Sequence, residues 1–411
     1  MKKTEKKGKA PTRLLRNAEK TDAETFLPAP HIPESDTLLR IVRPLALWYA
    51  DNARPLPWRE GRDAYRVWLS EIMLQQTRVE AVRPYYARFL EAAPTVSALA
   101  ALSEDRLLKL WQGLGYYSRA RNLHRAAREI MEKHGGELPA DCASLRALPG
   151  IGDYTAGAIA SIAFGLPIPA VDGNVLRVVA RVLGDKANVL APETKKRVTD
   201  MLAFVYERAN GDEALREELA SRDETLSVSA ALTEGLMELG QTHCAPNRAP
   251  LCVGCPLADF CAVRKSGEWE SIPCREKKKE RRTEHRLVLI LSDEEGKIAL
   301  RRRPDRGLLA SLWELPNLLL SDGELTDAEL DALGRDFCKS LGLAPAESAS
   351  APNARHIFTH ITWQMRGRFY NVLRTEASDP ALVFVSPEQM RAEYALPSAF
   401  SSYLALFGGE E

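Results

Sequence analysis

The sequence of residues 148–172 is LPGIGDYTAGAIASIAFGLPIPAVD, a glycine-containing turn followed by a run of small and apolar residues. Gly150 and Gly152 favour a tight turn, because glycine adopts positive φ without steric cost. Asp153 or Thr155 is expected to cap the helix that follows. The backbone N–H groups of such a turn form a natural phosphate site, and a plain packing corner between two helices is an equal alternative.

Length and composition limit the class of protein. The 411 residues exceed what one compact core holds, which predicts two domains. With 45% hydrophobic and 27% charged residues the chain is ordinary for a globular protein, and no apolar run approaches membrane-spanning length. The formal net charge of +0 leaves any attraction to nucleic acid to local patches. The basic start lacks an apolar signal segment, so we expect a cytoplasmic protein with reduced cysteines.

The apolar pattern divides the chain into parts of different type. Residues 1–34 are basic and poor in large apolar groups, which predicts a disordered tail. Residues 35–274 show helical spacing almost throughout, which predicts an all-α domain. A charged linker is expected at residues 275–284. In residues 285–411, RLVLILSD, a DEEG turn and KIALRRRP predict a β-hairpin within an α+β domain.

Four cysteines lie close together near the end of the helical part, and two of them form a C-x2-C pair. They are Cys244, Cys252, Cys255 and Cys261. Such a density of thiols in a reducing compartment predicts a metal or iron–sulfur site. Structural zinc is the competing choice, and the spacing alone does not decide between them. No role is assigned to the three remaining cysteines, which are Cys142, Cys274 and Cys338.

The LPGIG turn, the VDGNV stretch that follows it and the cysteine cluster together resemble the helix-hairpin-helix DNA glycosylases that carry a [4Fe–4S] cluster. Within that superfamily, residues 70–77 (SEIMLQQT) and 114–119 (LGYYSR) resemble the MutY-type adenine DNA glycosylases. Residues 303–316 and the triplet 358–360 resemble the C-terminal domain of that family. The resemblance spans residues 36–405. It implies a mainly α helix-hairpin-helix glycosylase domain with a [4Fe–4S] cluster loop, followed by an α+β Nudix-like domain.

The resemblance implies a base-excision repair enzyme. Such an enzyme flips out adenine mispaired with 8-oxoguanine or guanine in double-stranded DNA and hydrolyses its N-glycosidic bond to leave an abasic site. We expect a monomer that has one [4Fe–4S] cluster on the four clustered cysteines and no membrane partner, and that is nucleoid-associated if bacterial. Two alternatives remain: an endonuclease III-like glycosylase with lyase activity, and a non-enzymatic helix-hairpin-helix DNA-binding protein.

Two carboxyl groups suit this chemistry, which needs a proton on the leaving base and negative charge near an oxocarbenium ion. Glu71 is flanked by apolar residues, and burial would raise its pKa as a general acid for adenine N7; a glutamate on a solvent face is the plain alternative. Asp172 stands at a probable helix start, where N–H groups keep a carboxylate ionised. The resemblance implies that Asp172 stabilises or attacks the cation and that Asn174 holds the nucleotide.

Tyr154 distinguishes two kinds of reaction. The resemblance gives it a position beside the sugar, where its hydroxyl assists the carboxyl groups, although packing under the turn is possible from the sequence. Bifunctional relatives have a lysine there that forms a Schiff base and cleaves the strand. A phenol cannot form an imine, so the sequence predicts a monofunctional enzyme.

The resemblance also assigns residues that contact DNA. The adenine pocket would consist of Arg54, Leu56, Trp58, Val79 and Glu234. The DNA-binding residues would be Gln76 and Tyr116, as wedges that fill the space of the flipped base, with Leu148, Gly150 and Gly152 of the hairpin. The loop that recognises 8-oxoguanine would be Phe358, Thr359 and His360. From the sequence alone Trp58 is equally a core residue, and the last three are equally a strand end.

The sequence departs from the family pattern at several places. The spacer between Cys244 and Cys252 is one residue longer than usual, which should only enlarge a loop. The segment 184–227 is long and polar around its middle, so a surface insertion is expected. Thr359 stands where the family usually has serine. Residues 323–343 lack the REUxEE core of a Nudix metal helix, which predicts a C-terminal domain that binds without hydrolysing.

Overall fold

The computed structural model describes residues 31–276, 281–321, 323–375 and 378–407. Of the predicted basic tail, residues 1–30 lie outside the described residues, and the first helix begins at Ser35. Within the described ranges, none of the helices combines the length and the apolar character needed to cross a lipid bilayer.

Residues 31–276 fold into helices, as their apolar spacing predicts, and no strand interrupts this range. The helices are α1 (Ser35–Asn52), α2 (Ala64–Leu74), α3 (Val79–Ala92), α4 (Val96–Ala101), α5 (Glu104–Trp111), α6 (Ser118–Lys133), α7 (Cys142–Ala147), α8 (Asp153–Ile162), α9 (Gly173–Leu183), α10 (Pro192–Asn210), α11 (Glu213–Ala220), α12 (Val228–Thr242) and α13 (Ala262–Ser266). Their apolar faces form one continuous core. This core holds the hairpin and the carboxyl groups in fixed positions.

Local sequence explains where many of these helices begin. Side-chain oxygens of polar N-cap residues accept hydrogen bonds from backbone N–H groups of the first turn, which satisfies donors that a helix start leaves free. These N-caps are Asp63, Thr95, Ser103, Asp141, Asp172, Asp212 and Ser227. After α6, Gly135 has a φ of +63°, a left-handed conformation that glycine adopts readily.

The segment 184–227, expected to be a surface insertion, is part of the core, so that expectation is wrong. It contains α10 and α11, and α10 packs against α1 and α12. Met201 and Leu215 are fully buried between these helices. The polar Asn210 is also integrated, because its amide donates to the carbonyl of Gly165 at 3.1 Å and accepts from Ser229 Oγ at 2.9 Å. The apolar residues at helical spacing therefore decide that this segment is buried, although its middle is polar.

The C-terminal part is α+β, as predicted. Its strands are β1 (Arg282–Ser292), β2 (Ile298–Arg302), β3 (Trp313–Glu314), β4 (Asn317–Leu319), β5 (Leu343–Ile357), β6 (Ile361–Arg374) and β7 (Leu382–Val385), and its helices are α14 (Asp327–Ser340), α15 (Pro387–Glu393) and α16 (Ser401–Leu404). β1 and β2 form the predicted hairpin. Residues 282–284, expected in the linker, are instead the start of β1, because β6 supplies pairing partners for them.

The strands form one sheet in the order β3-β2-β1-β6-β5, with β4 on β1 and β7 on β2. β1 and β6 run parallel, and the remaining pairs are antiparallel. Alternate residues of β1 point to opposite faces. Leu287 and Leu289 pack with residues of α14, whereas Val288 and Ile290 pack with Phe400 near α16. Both faces of the sheet are therefore covered.

Side chains at the end of α5 connect the two parts of the molecule. Lys109 Nζ donates to the carbonyl of Arg391 and, at 3.2 Å, to that of Tyr394. Gln112 Nε2 donates to the carbonyl of Leu396 at 3.2 Å. These bonds use backbone acceptors, and they hold the C-terminal sheet beside the helical core.

Candidate active site

The LPGIG turn joins α7 to α8, and its two glycines differ. Gly150 has a φ of +80°, and a Cβ built there would lie 2.6 Å from Asn122 Cβ, so only glycine fits. Gly152 has an ordinary φ of −96° and open space around its Cα. Gly152 is itself the N-cap of α8, and no side chain caps this helix. The expected cap by Asp153 or Thr155 is therefore wrong.

The uncapped start of α8 leaves donors free. Among the described residues, the backbone N–H groups of Gly150 and Gly152 donate to no other protein group. Together with the first N–H groups of α8, they form an electropositive site of the kind that binds phosphate. Leu148 supports the turn from inside, because its side chain is buried and its carbonyl accepts the Ile151 N–H at 3.2 Å.

Glu71 lies on α2, which packs against α8 below the hairpin. Its side chain is only 6% exposed, and the Tyr154 hydroxyl of α8 donates to its Oε2 at 2.6 Å. Burial raises the pKa of Glu71 to about 7; the Tyr154 hydrogen bond opposes this shift and the negative charge of Asp172 adds to it. The prediction of a buried glutamate with a raised pKa is confirmed.

Asp172 is the N-cap of α9, as predicted. Its Oδ1 accepts hydrogen bonds from the backbone N–H groups of Asn174 and Val175, both at 2.8 Å. These bonds, the Asn174 amide and the charge of Arg177 lower the pKa of Asp172, but burial outweighs them and raises this pKa above its ordinary value. The helix start therefore favours the ionised carboxylate, as expected, and burial of the side chain opposes this effect.

Asn174 links the Asp172 carboxylate to the cysteine region. Its Nδ2 donates to Asp172 Oδ2 at 2.7 Å, and its Oδ1 accepts from Arg177 Nη2 at 2.8 Å. Arg177 donates in turn to the carbonyls of Gly240 and Cys244, each at 2.7 Å. The carboxylate is thus held in one orientation through a continuous chain of hydrogen bonds.

A buried network of charges lies beside Glu71, on α12 and the loop before α2. Arg59 and Arg62 both contact Glu234, with Arg59 Nε at 3.4 Å and Arg62 Nε at 3.0 Å. Arg59 Nη2 and Arg54 Nη2 bind Glu238 Oε2, at 2.8 and 2.9 Å. The charges of Glu234 and Arg59 reach Glu71 and shift its pKa in opposite directions. Arg54 and Glu234 of the predicted adenine pocket therefore belong to one network that borders Glu71.

The sequence analysis missed Arg59 and Arg62. A signal was present, because Glu234 and Glu238 are four residues apart on an otherwise apolar helix and therefore share one face. Two buried carboxylates need cations, since burial of an unpaired charge is costly.

The other three predicted pocket residues lie nearby with different degrees of burial. Leu56 and Trp58 are buried, and the Trp58 ring packs edge-on against Tyr86 with 5.3 Å between ring centroids. The core alternative for Trp58 is thus the arrangement observed. Val79 is the first residue of α3 and is half-buried.

Gln76 and Tyr116, the predicted wedges, have the same unusual backbone conformation. Their φ values are +58° and +47°, in the left-handed region that residues other than glycine rarely adopt. Tyr116 is 45% exposed although it is a large aromatic residue. Such conformations persist only where surrounding structure imposes them, and they concentrate at functional sites.

The predicted recognition loop, Phe358-Thr359-His360, connects β5 to β6 and meets the helical part. The Tyr116 hydroxyl and Thr359 Oγ1 are hydrogen-bonded at 2.6 Å. Phe358 packs edge-on against Trp363 with 4.9 Å between centroids, and His360 is exposed. One predicted wedge and the predicted recognition loop are therefore in direct contact, although 243 residues separate them in sequence.

The four clustered cysteines line one cavity of about 230 Å³, whose remaining lining is mainly apolar. None of the four forms a disulfide bond. Arg181 Nη1 lies 3.3 Å from Cys244 Sγ. Within the described ranges, no three histidine, cysteine or carboxylate side chains have the arrangement that holds a single metal ion. Four thiols around one cavity suit a metal-containing group that is bound through sulfur.

Comparison with known proteins agrees with these features. Residues 69–203 match the family model described as HhH-GPD superfamily base excision DNA repair protein, and residues 287–406 match the NUDIX domain model. A thermostable thymine-DNA glycosylase of known structure shares 22% identity, with a TM-score of 0.46, over 57% of this chain and 98% of its own. The family-model match and the helical fold with its hairpin assign this part to the helix-hairpin-helix superfamily of base-excision DNA repair proteins.

The relatives narrow this class. Adenine DNA glycosylase of Mus musculus is 33% identical over 77% of this chain and 68% of its own length. The enzyme of Homo sapiens is 31% identical over 87% of this chain and 72% of its own. The chain belongs to the family of MutY-type adenine DNA glycosylases. It is an enzyme of base-excision repair that acts on DNA and removes adenine.

Proposed function

We propose that the protein excises adenine opposite 8-oxoguanine or guanine and leaves the DNA strand uncut. The observation that carries the mispair assignment is the 2.6 Å hydrogen bond between Tyr116 and Thr359. It joins a residue that would enter the duplex to a loop that would read the base opposite adenine. A single protein surface could therefore hold the adenine and its partner base at the same time.

Glu71 would act as the general acid. With a pKa of about 7, a large fraction of this carboxyl group is protonated at neutral pH. The Tyr154 hydroxyl donates a hydrogen bond to Oε2, which leaves Oε1 free to carry the proton that moves to adenine N7. Protonation lets the base leave as a neutral molecule, which lowers the barrier to breaking the N-glycosidic bond.

Asp172 would stabilise the positive sugar that remains. Its two oxygens accept hydrogen bonds from Asn174 and Val175, and these bonds favour the ionised form. The mutual repulsion of Asp172 and Glu71 favours a state in which only one of them is ionised. Asp172 would either pair with the oxocarbenium ion or bond to C1′. Water would then supply the hydroxyl group at C1′, and its proton would leave through a carboxylate.

Tyr154 supports a monofunctional reaction. Strand cleavage through a Schiff base needs an amine that attacks C1′ and loses water. The side chain at this position carries a hydroxyl group bound to Glu71, so it holds the acid in place and cannot form an imine. The product would be an abasic site in an intact strand.

The C-terminal domain would bind 8-oxoguanine through Phe358, Thr359 and His360 without hydrolysing a nucleotide. Two acidic groups of α14 support this, because Asp331 and Asp336 are paired with basic groups of the same helix. Lys339 Nζ lies 3.2 Å from Asp336 Oδ1, and Arg335 Nε lies 2.8 Å from Asp331 Oδ2. Carboxylates compensated in this way are poor ligands for the metal that Nudix hydrolysis requires.

A single [4Fe–4S] cluster on Cys244, Cys252, Cys255 and Cys261 would complete the helical domain. The four thiolates would hold the cluster, and the four iron–thiolate bonds would tie the ends of the cysteine loop together. Arg177 and Arg181, both of α9, already bind the carbonyl and the sulfur of Cys244. The loop would thereby support the chain of hydrogen bonds that orients Asp172.

The remaining predicted residues would contact the DNA or the flipped adenine. The hairpin N–H groups of Gly150 and Gly152 would bind phosphate of double-stranded DNA, Gln76 and Tyr116 would fill the vacated space, and Asn174 would contact the reacting nucleotide. The adenine pocket would be formed by Arg54, Leu56, Trp58, Val79 and Glu234. We propose a monomer in which residues 35–274 excise and residues 285–411 recognise the partner base, in the cytoplasm and on the nucleoid if the source is bacterial.

The test is single-turnover excision from a duplex with one A:8-oxoguanine pair. Wild type, Glu71→Gln and Asp172→Asn are compared, and products are separated before and after alkali. We expect each variant to lose about 100- to 10,000-fold in rate. In wild-type reactions a strand break should form only after alkali.

Two results would overturn parts of the proposal. Retained excision in both variants would remove the carboxyl groups from the mechanism. A break before alkali, with an adduct trapped by borohydride, would show a lyase. Arg128→Lys, a change on the exposed face of α6, serves as the control for handling and folding.

A further inference from the structure

Arg119 has no role in the proposed excision reaction. It lies in the first turn of α6, only 8% exposed, under the two segments that carry Gln76 and Tyr116. The segments 72–77 and 114–116 are far apart in sequence. The guanidinium of Arg119 touches both.

One side of the guanidinium binds the end of α2 and the segment after it. Nη1 contacts the carbonyls of Ile72, Met73 and Gln75 at 2.7, 2.8 and 2.6 Å. Carbonyls at a helix C-terminus have no partner within the helix, and a cation there also interacts favourably with the helix dipole. Because α2 carries Glu71, this contact fixes the end of the acid's own helix.

The other side binds the segment that precedes the second wedge. Nη2 contacts the carbonyls of Leu114 and Gly115 at 3.0 and 3.2 Å. The guanidinium carbon also lies 5.4 Å from the ring centroid of Trp111 and 5.5 Å from that of Tyr116. The planar fork of arginine allows all these contacts at once, whereas an ammonium group cannot reach both segments in the same way.

The charge of Arg119 is unusual for a buried group. Among the described residues, no carboxylate forms an ion pair with it, and burial lowers its pKa to about 10. Backbone carbonyls and aromatic faces are its partners. Its Nη2 also donates to Thr77 Oγ1 at 3.3 Å. A buried cation without a carboxylate partner is costly, and this cost is understandable if its role is to impose the left-handed conformations of Gln76 and Tyr116.

We infer that Arg119 is the positioning residue that sets both DNA wedges in register with the helix of the catalytic acid. This inference rests on the proposed function, since it takes Gln76 and Tyr116 as the wedges. Arg119 does not contact the base or the sugar. Its loss would impair extrusion of the adenine nucleotide before any bond is broken.

The test separates extrusion from chemistry in a Glu71→Gln background, which cannot excise. A duplex carries 2-aminopurine at the adenine position opposite 8-oxoguanine, and its fluorescence rises when the base unstacks. We expect Glu71→Gln/Arg119→Lys to show at least a tenfold smaller flipped population than Glu71→Gln. Glu71→Gln/Arg128→Lys, changed on the same helix, should match Glu71→Gln. Affinity for undamaged duplex should stay within about threefold, because phosphate contacts lie elsewhere.

The outcomes are distinguishable. Absence of a fluorescence rise with Glu71→Gln itself would contradict the proposed function. A rise in Glu71→Gln and an equal rise in the Arg119→Lys double variant would contradict the role of Arg119.

Amide exchange of the free wild-type protein gives a second arm that needs no variant. Peptides covering 72–77 and 114–118 should show matching protection, because one side chain holds both. Protection differing by more than about tenfold between the two peptides would also overturn the inference, whether or not Arg119→Lys folds.

Discussion

Two buried glutamates of the helical core have opposite electrostatic surroundings. Glu71 is 6% exposed, binds a tyrosine hydroxyl and has its pKa raised to about 7. Glu238 is 1% exposed, binds Arg54 and Arg59, and its pKa is lowered. Burial is similar, and the partner decides the protonation state. Glu71 is thus partly protonated at neutral pH, whereas Glu238 is a fixed negative charge.

The arrangement around the two groups shows why both are needed. The Arg59 charge lowers the pKa of Glu71 while the Glu234 and Asp172 charges raise it, so the pKa of the acid is a balance. Glu238 contributes to that balance from a distance by holding Arg59. A substitution in this network would therefore change the pKa of Glu71 without removing any of its direct contacts.

The largest expected difference between the two glutamates is in stability. Glu238→Gln removes the carboxylate that binds both Arg59 and Arg54, and it should lower the free energy of unfolding by about 3 kcal/mol. This is the lower end of the cost of breaking a buried ion pair, because Arg59 keeps its contact with Glu234 and Arg54 is partly exposed. At about pH 4.5, where Glu71 is protonated in the folded protein, Glu71→Gln removes no ion pair and should change this free energy by less than about 1 kcal/mol. Urea unfolding followed by circular dichroism measures both. Equal losses of stability in the two variants would show that the charge partners do not distinguish the two glutamates.

Stability should also depend on pH through Glu71. Its folded pKa of about 7 lies above the ordinary 4.5, so the folded protein binds this proton more tightly than the unfolded chain. The contribution of Glu71 to the free energy of unfolding is therefore fully present below about pH 4.5. It falls by about 3 kcal/mol as the pH rises to about 7. Unfolding of wild type and Glu71→Gln at several pH values isolates it. A constant difference between the two curves would contradict the raised pKa.

The excision rate should follow the protonated fraction of Glu71. Below about pH 7 the acid is protonated and the rate should be nearly constant, and above it the rate should fall about tenfold per pH unit. Single-turnover rates between pH 5.5 and 9 on one mispair give this profile. A rate that rises with pH through this range would assign Glu71 the role of a base.

The smallest expected effect concerns Tyr154. Its hydrogen bond lowers the pKa of Glu71, so Tyr154→Phe should raise that pKa and move the midpoint of the rate profile to higher pH, by less than about one unit. Phenylalanine keeps the ring that packs in the core. A midpoint displaced to lower pH would mean that the hydroxyl stabilises the protonated acid.

The sequence predicted the fold class well because periodicity is local. Helical spacing through residue 274 and the alternation of RLVLILSD follow from which side of an element must be buried. The same rule, applied to segment 184–227, would have placed α10 in the core. The Asn210-Gly211 pair suggested a surface insertion instead. The hydrogen bonds of Asn210 to Gly165 and Ser229 cannot be read from a linear sequence.

The sequence named candidate residues for the site, but it said less about their pKa values and their charge partners. Glu71 and Asp172 stand in recognisable motifs, and their local surroundings suggested burial for the first and an N-cap for the second. The raised pKa of Asp172 was not predicted, because the sequence shows the helix start but not the burial that outweighs its effect. Arg59 and Arg62 were missed because they reach α12 from a distant loop.

The sequence by itself determined the helices, the hairpin glycine at Gly150, the N-cap at Asp172 and the tyrosine that excludes an imine, since each depends on neighbours within a few residues. Only the tertiary structure decided which groups share a proton, which arginine holds which carbonyl, and that Tyr116 meets Thr359. Electrostatic energy depends on distance and burial in space, and chains of contacts across hundreds of residues set both.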